Sequence, residues 1–135
     1  MNDSVKNPWT KTSTRQVYEN PWIKVEHHTV LTPSKDEGVY GTVAFKNRAI
    51  GIIPLDKHLN TWIVGQYRFP LNAFSWEIPE GGGPIREATI NTAKRELSEE
   101  VGLKANKWRM IQTFHLSNSV SDEYGELFLA QELTE

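Results

Sequence analysis

The amino-acid sequence predicts an α/β fold in which strands precede and follow one long helix. Three observations carry this reading. Stretches rich in β-branched and aromatic residues recur between Val17 and Phe45, between Ala49 and Phe69, and between Trp108 and Ala130. Only Ile85 to Val101 shows sustained helical periodicity. The length of 135 residues and the hydrophobic fraction of 38% suit one core and are too small for two.

Taken in order, residues 1–14 are polar, contain Pro8 and read as a flexible arm, with residues 15–135 forming a single domain. Val17 to Val30 alternates partially, and Pro21 within it suits an edge or bulged strand. Thr32 to Gly38 reads as a hairpin connection and Val39 to Phe45 as a strand. Ala49 to Pro54 is a short buried strand, Asp56 to Asn60 a turn, Thr61 to Phe69 a strand, and Phe74 to Ile78 an extended piece. The run Pro79-Glu80-Gly81-Gly82-Gly83-Pro84 suits neither helix nor central strand and is expected as a loop. Pro84 at the first helical position and Gly102 just past Val101 bound the helix. Ile90, Ala93, Leu97 and Val101 share one stripe, which is expected to be buried. A strand near Trp108 to Phe114, a polar loop from His115 to Asp122 and a strand near Leu127 to Ala130 follow.

Composition narrows the chemistry. A net charge of -2 argues against a nucleic-acid binder, although free nucleotides stay open as ligands if a metal supplies positive charge. The absence of cysteine excludes thiol catalysis, disulfides and thiolate zinc sites. No apolar run is long enough to span a membrane, and the N-terminus lacks the apolar stretch of a signal peptide, so the cytoplasm is the default location.

The helix carries the candidate chemistry. Glu96 and Glu100 lie four residues apart on one face, with Glu99 beside them. Carboxylates so placed repel one another, and a divalent cation such as Mg²⁺, which prefers hard oxygen ligands, would turn the repulsion into a site. Three consecutive glycines before the helix are expected to adopt positive φ and to let the backbone approach a ligand. A diphosphate held there would be open to metal-assisted hydrolysis. On the glutamates alone, a solvated acidic face is the better explanation, because glutamate-rich helix faces are common.

The surrounding residues add to this. Gly81, Glu87, Arg95, Glu96, Leu97, Glu99, Glu100, Gly102 and Leu103 read as G-x5-E-x7-R-E-U-x-E-E-x-G-U, with U aliphatic, and this resembles the Nudix hydrolase motif at every fixed position. The resemblance implies an α/β/α sandwich with a mixed sheet, preceded here by N-terminal antiparallel strands. It implies Mg²⁺, with Mn²⁺ able to substitute, on Glu96, Glu99, Glu100 and the backbone at Glu80 and Gly81. Arg95 would orient the carboxylates together with Glu87. Gln66-Tyr67-Arg68 and Glu77-Ile78-Pro79-Glu80-Gly81 resemble segments of the ADP-ribose and nucleoside diphosphate sugar pyrophosphatases. That branch implies cleavage of a nucleoside diphosphate sugar into a nucleoside monophosphate and a sugar 1-phosphate by metal-activated water.

Arg68 is then a candidate phosphate partner, with a surface salt bridge as the alternative, and Tyr18 and Trp22 are candidates for stacking on a base. Glu123 resembles an acidic residue placed near the metals, and with Glu99, Glu100 and Arg95 it makes up the candidate catalytic set. Ser117-Asn118-Ser119 lacks the proline usual in ADP-ribose enzymes at this loop, which puts GDP-mannose on an equal footing with ADP-ribose. A dinucleoside polyphosphate hydrolase and a non-catalytic nucleotide-binding module are the alternatives. The resemblance further implies a homodimer in which Val17 to Val30 crosses to the partner. It also implies another strand and a C-terminal helix beyond Glu135, so a minimal chain and a truncated one are both open.

Overall fold

The computed structural model describes residues 5–135, which fall into two compact units. Residues 1–4 of the expected arm lie outside the described residues.

The first unit is an antiparallel meander of β1 (Thr10–Glu19), β2 (Ile23–Leu31) and β3 (Glu37–Phe45), joined by residues 117–122. Residues 10–14, expected within a loose arm, are instead the start of β1, where threonines and a serine suit a strand and pair with β2. Pro21 does not interrupt a strand. It sits in the turn between two, where Asn20 Oδ1 accepts hydrogen bonds from the Trp22 and Ile23 amides, both at 2.8 Å. His28 is buried in β2, with Thr14 and Thr42 hydroxyls at 2.9 and 2.8 Å from its two ring nitrogens, so its polar atoms are satisfied inside the sheet.

The second unit holds β4 (Asn47–Pro54), β5 (Val64–Arg68), β6 (Ala73–Glu77), β7 (Glu80–Pro84), the helix α1 (Thr89–Val101), β8 (Lys104–His115) and β9 (Tyr124–Thr134). Its main sheet has the order β7-β4-β9-β8. β4 runs parallel to β9 and antiparallel to β7, so the sheet is mixed as expected. The core joins Ile50 and Ile52 of β4, Ala93 and Leu97 of α1, Leu103, and Phe128 and Ala130 of β9, with Ile90 and Val101 packed beside them. The helical stripe expected from spacing therefore faces the core, and truncating Leu97 to alanine would cost about 2–5 kcal/mol. α1 is the one α-helix among the described residues and provides one helical layer.

Two boundaries differ from the sequence reading. Glu80–Pro84 is an edge strand, not a loop, because it pairs with β4 from Asn47↔Pro84 to Gly51↔Glu80. The helix starts at Thr89 rather than Ile85, since this pairing draws Pro84 into the sheet and the Glu87 amide closes a turn on the Pro84 carbonyl. At the other end Gly102 takes φ 70° and its amide bonds the Ser98 carbonyl, the expected glycine stop. Among the described residues no helix is long and apolar enough to cross a membrane.

Candidate active site on the acidic helix

The site is built where edge strand β7 runs along α1. None of Gly81, Gly82 and Gly83 has positive φ, contrary to the sequence expectation. Their extended backbone is one that any residue can adopt, and what singles out Gly81 and Gly83 is space. A Cβ on Gly81 would lie 2.1 Å from the Glu96 carboxyl carbon, and one on Gly83 would lie 2.4 Å from Thr92 Oγ1. The missing side chains let a strand and a helix approach until backbone touches carboxylate.

Two carboxylates of one helix face consequently reach the same short backbone segment. Glu96 sits against Gly81, and Glu100 accepts a hydrogen bond from the Glu80 amide at 2.9 Å. Arg95 donates to Glu96 at 2.7 Å and to Glu99 at 3.3 Å, and it reaches the Gly82 carbonyl at 3.4 Å. Arg95 thus contacts two of the three carboxylates, and Glu87, expected beside it, instead accepts a hydrogen bond from the buried Thr92 hydroxyl at 3.1 Å. Burial pushes the Glu96 carboxyl above its usual range, opposed by Arg95 and reinforced by the nearby charges of Glu99 and Glu100. Glu96 is the least exposed of the three.

A second ion-pair cluster borders the first. Arg68 on β5 clamps Glu77 on β6 through Nε at 2.8 Å and Nη2 at 2.5 Å, and the same Nη2 meets the Glu80 carboxylate at 2.5 Å. The Arg68 hydrogen bonds hold the Glu77 carboxyl down at about 2. Glu80 moves the opposite way, raised first by burial and then by the charge of Glu77. Arg68 is thus engaged in a salt bridge, the alternative weighed from sequence. Glu77 and the Glu80 side chain were not singled out there. The available signal was the alternation that puts Gln66 and Arg68 on one face of β5, and Ser75 and Glu77 on the matching face of β6.

Glu123 stands just before β9, its carbonyl accepting the Leu116 amide and its carboxyl raised by burial. Tyr18 and Trp22 belong to the first unit and are exposed there. Among the described residues no three His, Asp or Glu side chains converge into a ready metal cage. The donor set nevertheless fits a hard divalent cation: two carboxylates from one helix face close to the Glu80–Gly81 backbone, one of them disfavoured as an anion by burial and by like charges that such an ion would offset.

Comparison with known proteins identifies the family. Residues 45–134 match the family model of the NUDIX domain, and residues 9–43 match that of the nucleoside diphosphate sugar hydrolase N-terminal domain. The chain belongs to the NUDIX family. It is 36% identical over 88 residues to an ADP-ribose pyrophosphatase of Mycobacterium tuberculosis, covering 64% of this chain and 42% of that protein. It is 36% identical over 86 residues to an ADP-ribose pyrophosphatase of Bacillus subtilis, covering 64% and 46%. The chain thus spans less than half the length of these two relatives. A solved structure titled as an ADP compounds hydrolase superposes with a TM-score of 0.84 at 20% identity, covering 93% of this chain and 68% of that one, which supports the fold.

Proposed function

We propose that this chain hydrolyses the diphosphate bond of a nucleoside diphosphate sugar, releasing a nucleoside monophosphate and a sugar phosphate, with Mg²⁺ as the working ion and Mn²⁺ able to replace it. The observation that carries the reading is the approach of both Glu96 and Glu100, from one helix face, to the Glu80–Gly81 backbone. Those two side chains, the Glu80 carbonyl and the nearby Glu99 would hold the ion. When bound, a divalent ion offsets the charge of the diphosphate and makes water acidic enough to attack phosphorus at neutral pH.

The remaining steps belong to this chain's side chains. Arg95 keeps Glu96 and Glu99 turned toward β7. Arg68 holds Glu77 and Glu80 and so steadies the residue whose backbone borders the site. Glu99 and Glu123 are the carboxylates we assign to take the proton that water loses as the phosphorus–oxygen bond breaks. ADP-ribose is the first substrate to test, supported by the names of the two relatives and by the match of the N-terminal strands. GDP-mannose stands beside it because Ser117-Asn118-Ser119 lacks a proline. Tyr18 and Trp22 offer exposed rings for a base. The working form we propose is a homodimer.

Purified protein with Mg²⁺ and a panel of ADP-ribose, GDP-mannose and a dinucleoside polyphosphate tests this, with products identified by chromatography. Glu96→Gln and Glu100→Gln should each lower turnover by about 100-fold or more, since a ligand is lost outright. Undiminished turnover in both variants would remove the mechanism. Nucleotide binding without metal-dependent cleavage would identify a binding module instead.

A further inference from the structure

Glu126 of β9 is the most deeply buried acidic residue among the described residues, at 8% exposed, and it takes no part in the reaction proposed above. It alternates with Phe128 and Ala130 along the strand, so it shares the face of β9 that packs against α1. Its neighbours in the sheet are the uncharged Ile50 and Thr113, and it forms no ion pair among the described residues. A carboxylate removed from water needs a partner. The Thr89 hydroxyl supplies one by donating to Glu126 Oε2, from 37 positions away in the chain.

Thr89 is the first residue of α1. Ala88 before it offers no side-chain cap and the first turn holds no acidic residue, so Glu126 brings from the sheet the negative charge that a helix N-terminus favours. Thr89 also heads a particular stripe. Glu96 and Glu100 stand seven and eleven residues beyond it, close to two and three full turns, and so point within about 20° of the same direction. The bond therefore grips the helix on the side whose carboxylates reach the Glu80–Gly81 backbone. Apolar contacts of Ile90, Ala93 and Leu97 hold the helix against the sheet, but such contacts have no preferred direction. A hydrogen bond constrains angle as well as distance. At a radius of about 6 Å from the helix axis, a turn of roughly 10° would carry a carboxylate about 1 Å. Misplacement of that size around reacting groups costs up to about 100-fold in rate.

We propose that the Thr89–Glu126 bond is a rotational stop for α1, which presents Glu96 and Glu100 to the Glu80–Gly81 backbone. The inference rests on the metal-site reading above and adds two positioning residues to it. Glu96 lies about 10 Å along the helix axis from Thr89, so both residues act through the helix and not on the ion. Glu126 fixes Thr89, and the rigid helix carries that constraint to the carboxylates.

Calorimetric titration with Mn²⁺ in the absence of nucleotide tests this on the full chain, on Thr89→Val, on Thr89→Ser and on the double variant Thr89→Val/Glu126→Leu, with melting curves alongside. Thr89→Val keeps the shape but loses the hydroxyl, and should bind Mn²⁺ about 10-fold more weakly than the parent. Thr89→Ser keeps the hydroxyl and should bind as the parent does. The double variant leaves no carboxylate buried without a partner, so it should fold like the parent and still show the loss. Parental Mn²⁺ affinity in a folded Thr89→Val or double variant would overturn the inference. So would a Thr89→Ser variant as weak as Thr89→Val, or failure of both Thr89→Val chains to fold, which would assign the bond to the scaffold. Glu100→Gln separates this inference from the reading beneath it. If the parent binds no Mn²⁺, or Glu100→Gln binds it equally well, the helix is not the ion site and both fall. If Glu100→Gln loses the ion while the folded Thr89→Val chains keep it, the rotational stop alone is refuted.

Discussion

Replacing Gly81 by alanine separates the site from the scaffold. The backbone there has no positive φ, so alanine costs no backbone strain and restricts the unfolded chain, worth about 0.4–1 kcal/mol in favour of folding. The new Cβ would stand 2.1 Å from the Glu96 carboxyl carbon and 2.3 and 2.6 Å from its two oxygens. All three atoms are the far end of a flexible side chain, which can swing away. The fold should therefore persist while Glu96 leaves its place beside the backbone. Stability should change by less than about 1 kcal/mol, which at this size is a melting shift of roughly 3–5 °C. Divalent-ion affinity and turnover should fall by about 10–100-fold, the usual cost of displacing groups around a metal site.

Gly83→Ala is the contrasting case. Its Cβ would meet Thr92 Oγ1 at 2.4 Å and Thr92 Cβ at 3.1 Å, and Thr92 is a fully buried, β-branched helix residue with little freedom to turn. Overpacking there should cost about 1–3 kcal/mol and lower the melting temperature. Calorimetric titration with Mg²⁺ or Mn²⁺, thermal melts and product release from ADP-ribose measure all three quantities. If Gly81→Ala retained parental ion affinity and turnover, the close approach of β7 to Glu96 would have no part in function.

Two further outcomes are expected. Glu77 has a folded-state pKa of about 2 against an ordinary 4.5, so its contribution to stability is complete above pH 4.5 and disappears as pH falls toward 2. Urea melts of the parent and Glu77→Gln should differ at neutral pH and converge through that window, and a difference constant down to pH 2 would show that the clamp is not ionic. Trp22→Ala, if Trp22 stacks on the base, should raise KM by about 5–100-fold at unchanged kcat, as loss of one stacking contact would. An unchanged KM for ADP-ribose and GDP-mannose alike would remove it from the substrate site.

The sequence by itself determined what depends on local spacing. Glu96, Glu99 and Glu100 share a helix face because three and four residues make about one turn. Ile90, Ala93, Leu97 and Val101 face the core for the same reason, and Gly102 ends the helix because glycine accepts φ 70°. Tertiary structure decided what depends on partners distant in the chain. Pro79 to Pro84 looked like a loop because glycine and proline are poor strand formers, yet pairing with β4 makes Glu80–Pro84 an edge strand and delays the helix to Thr89. The need for Gly81 and Gly83 arises from Glu96 and Thr92 on the opposing helix, a clearance that no local pattern displays. Arg68 could be seen as a cation, but only the register of β5 with β6 sets it on Glu77, and only the approach of β7 adds Glu80. The physical reason is the same in each case: helical neighbours are set by covalent distance, whereas strand partners and close contacts are set by whichever distant segment the fold brings alongside.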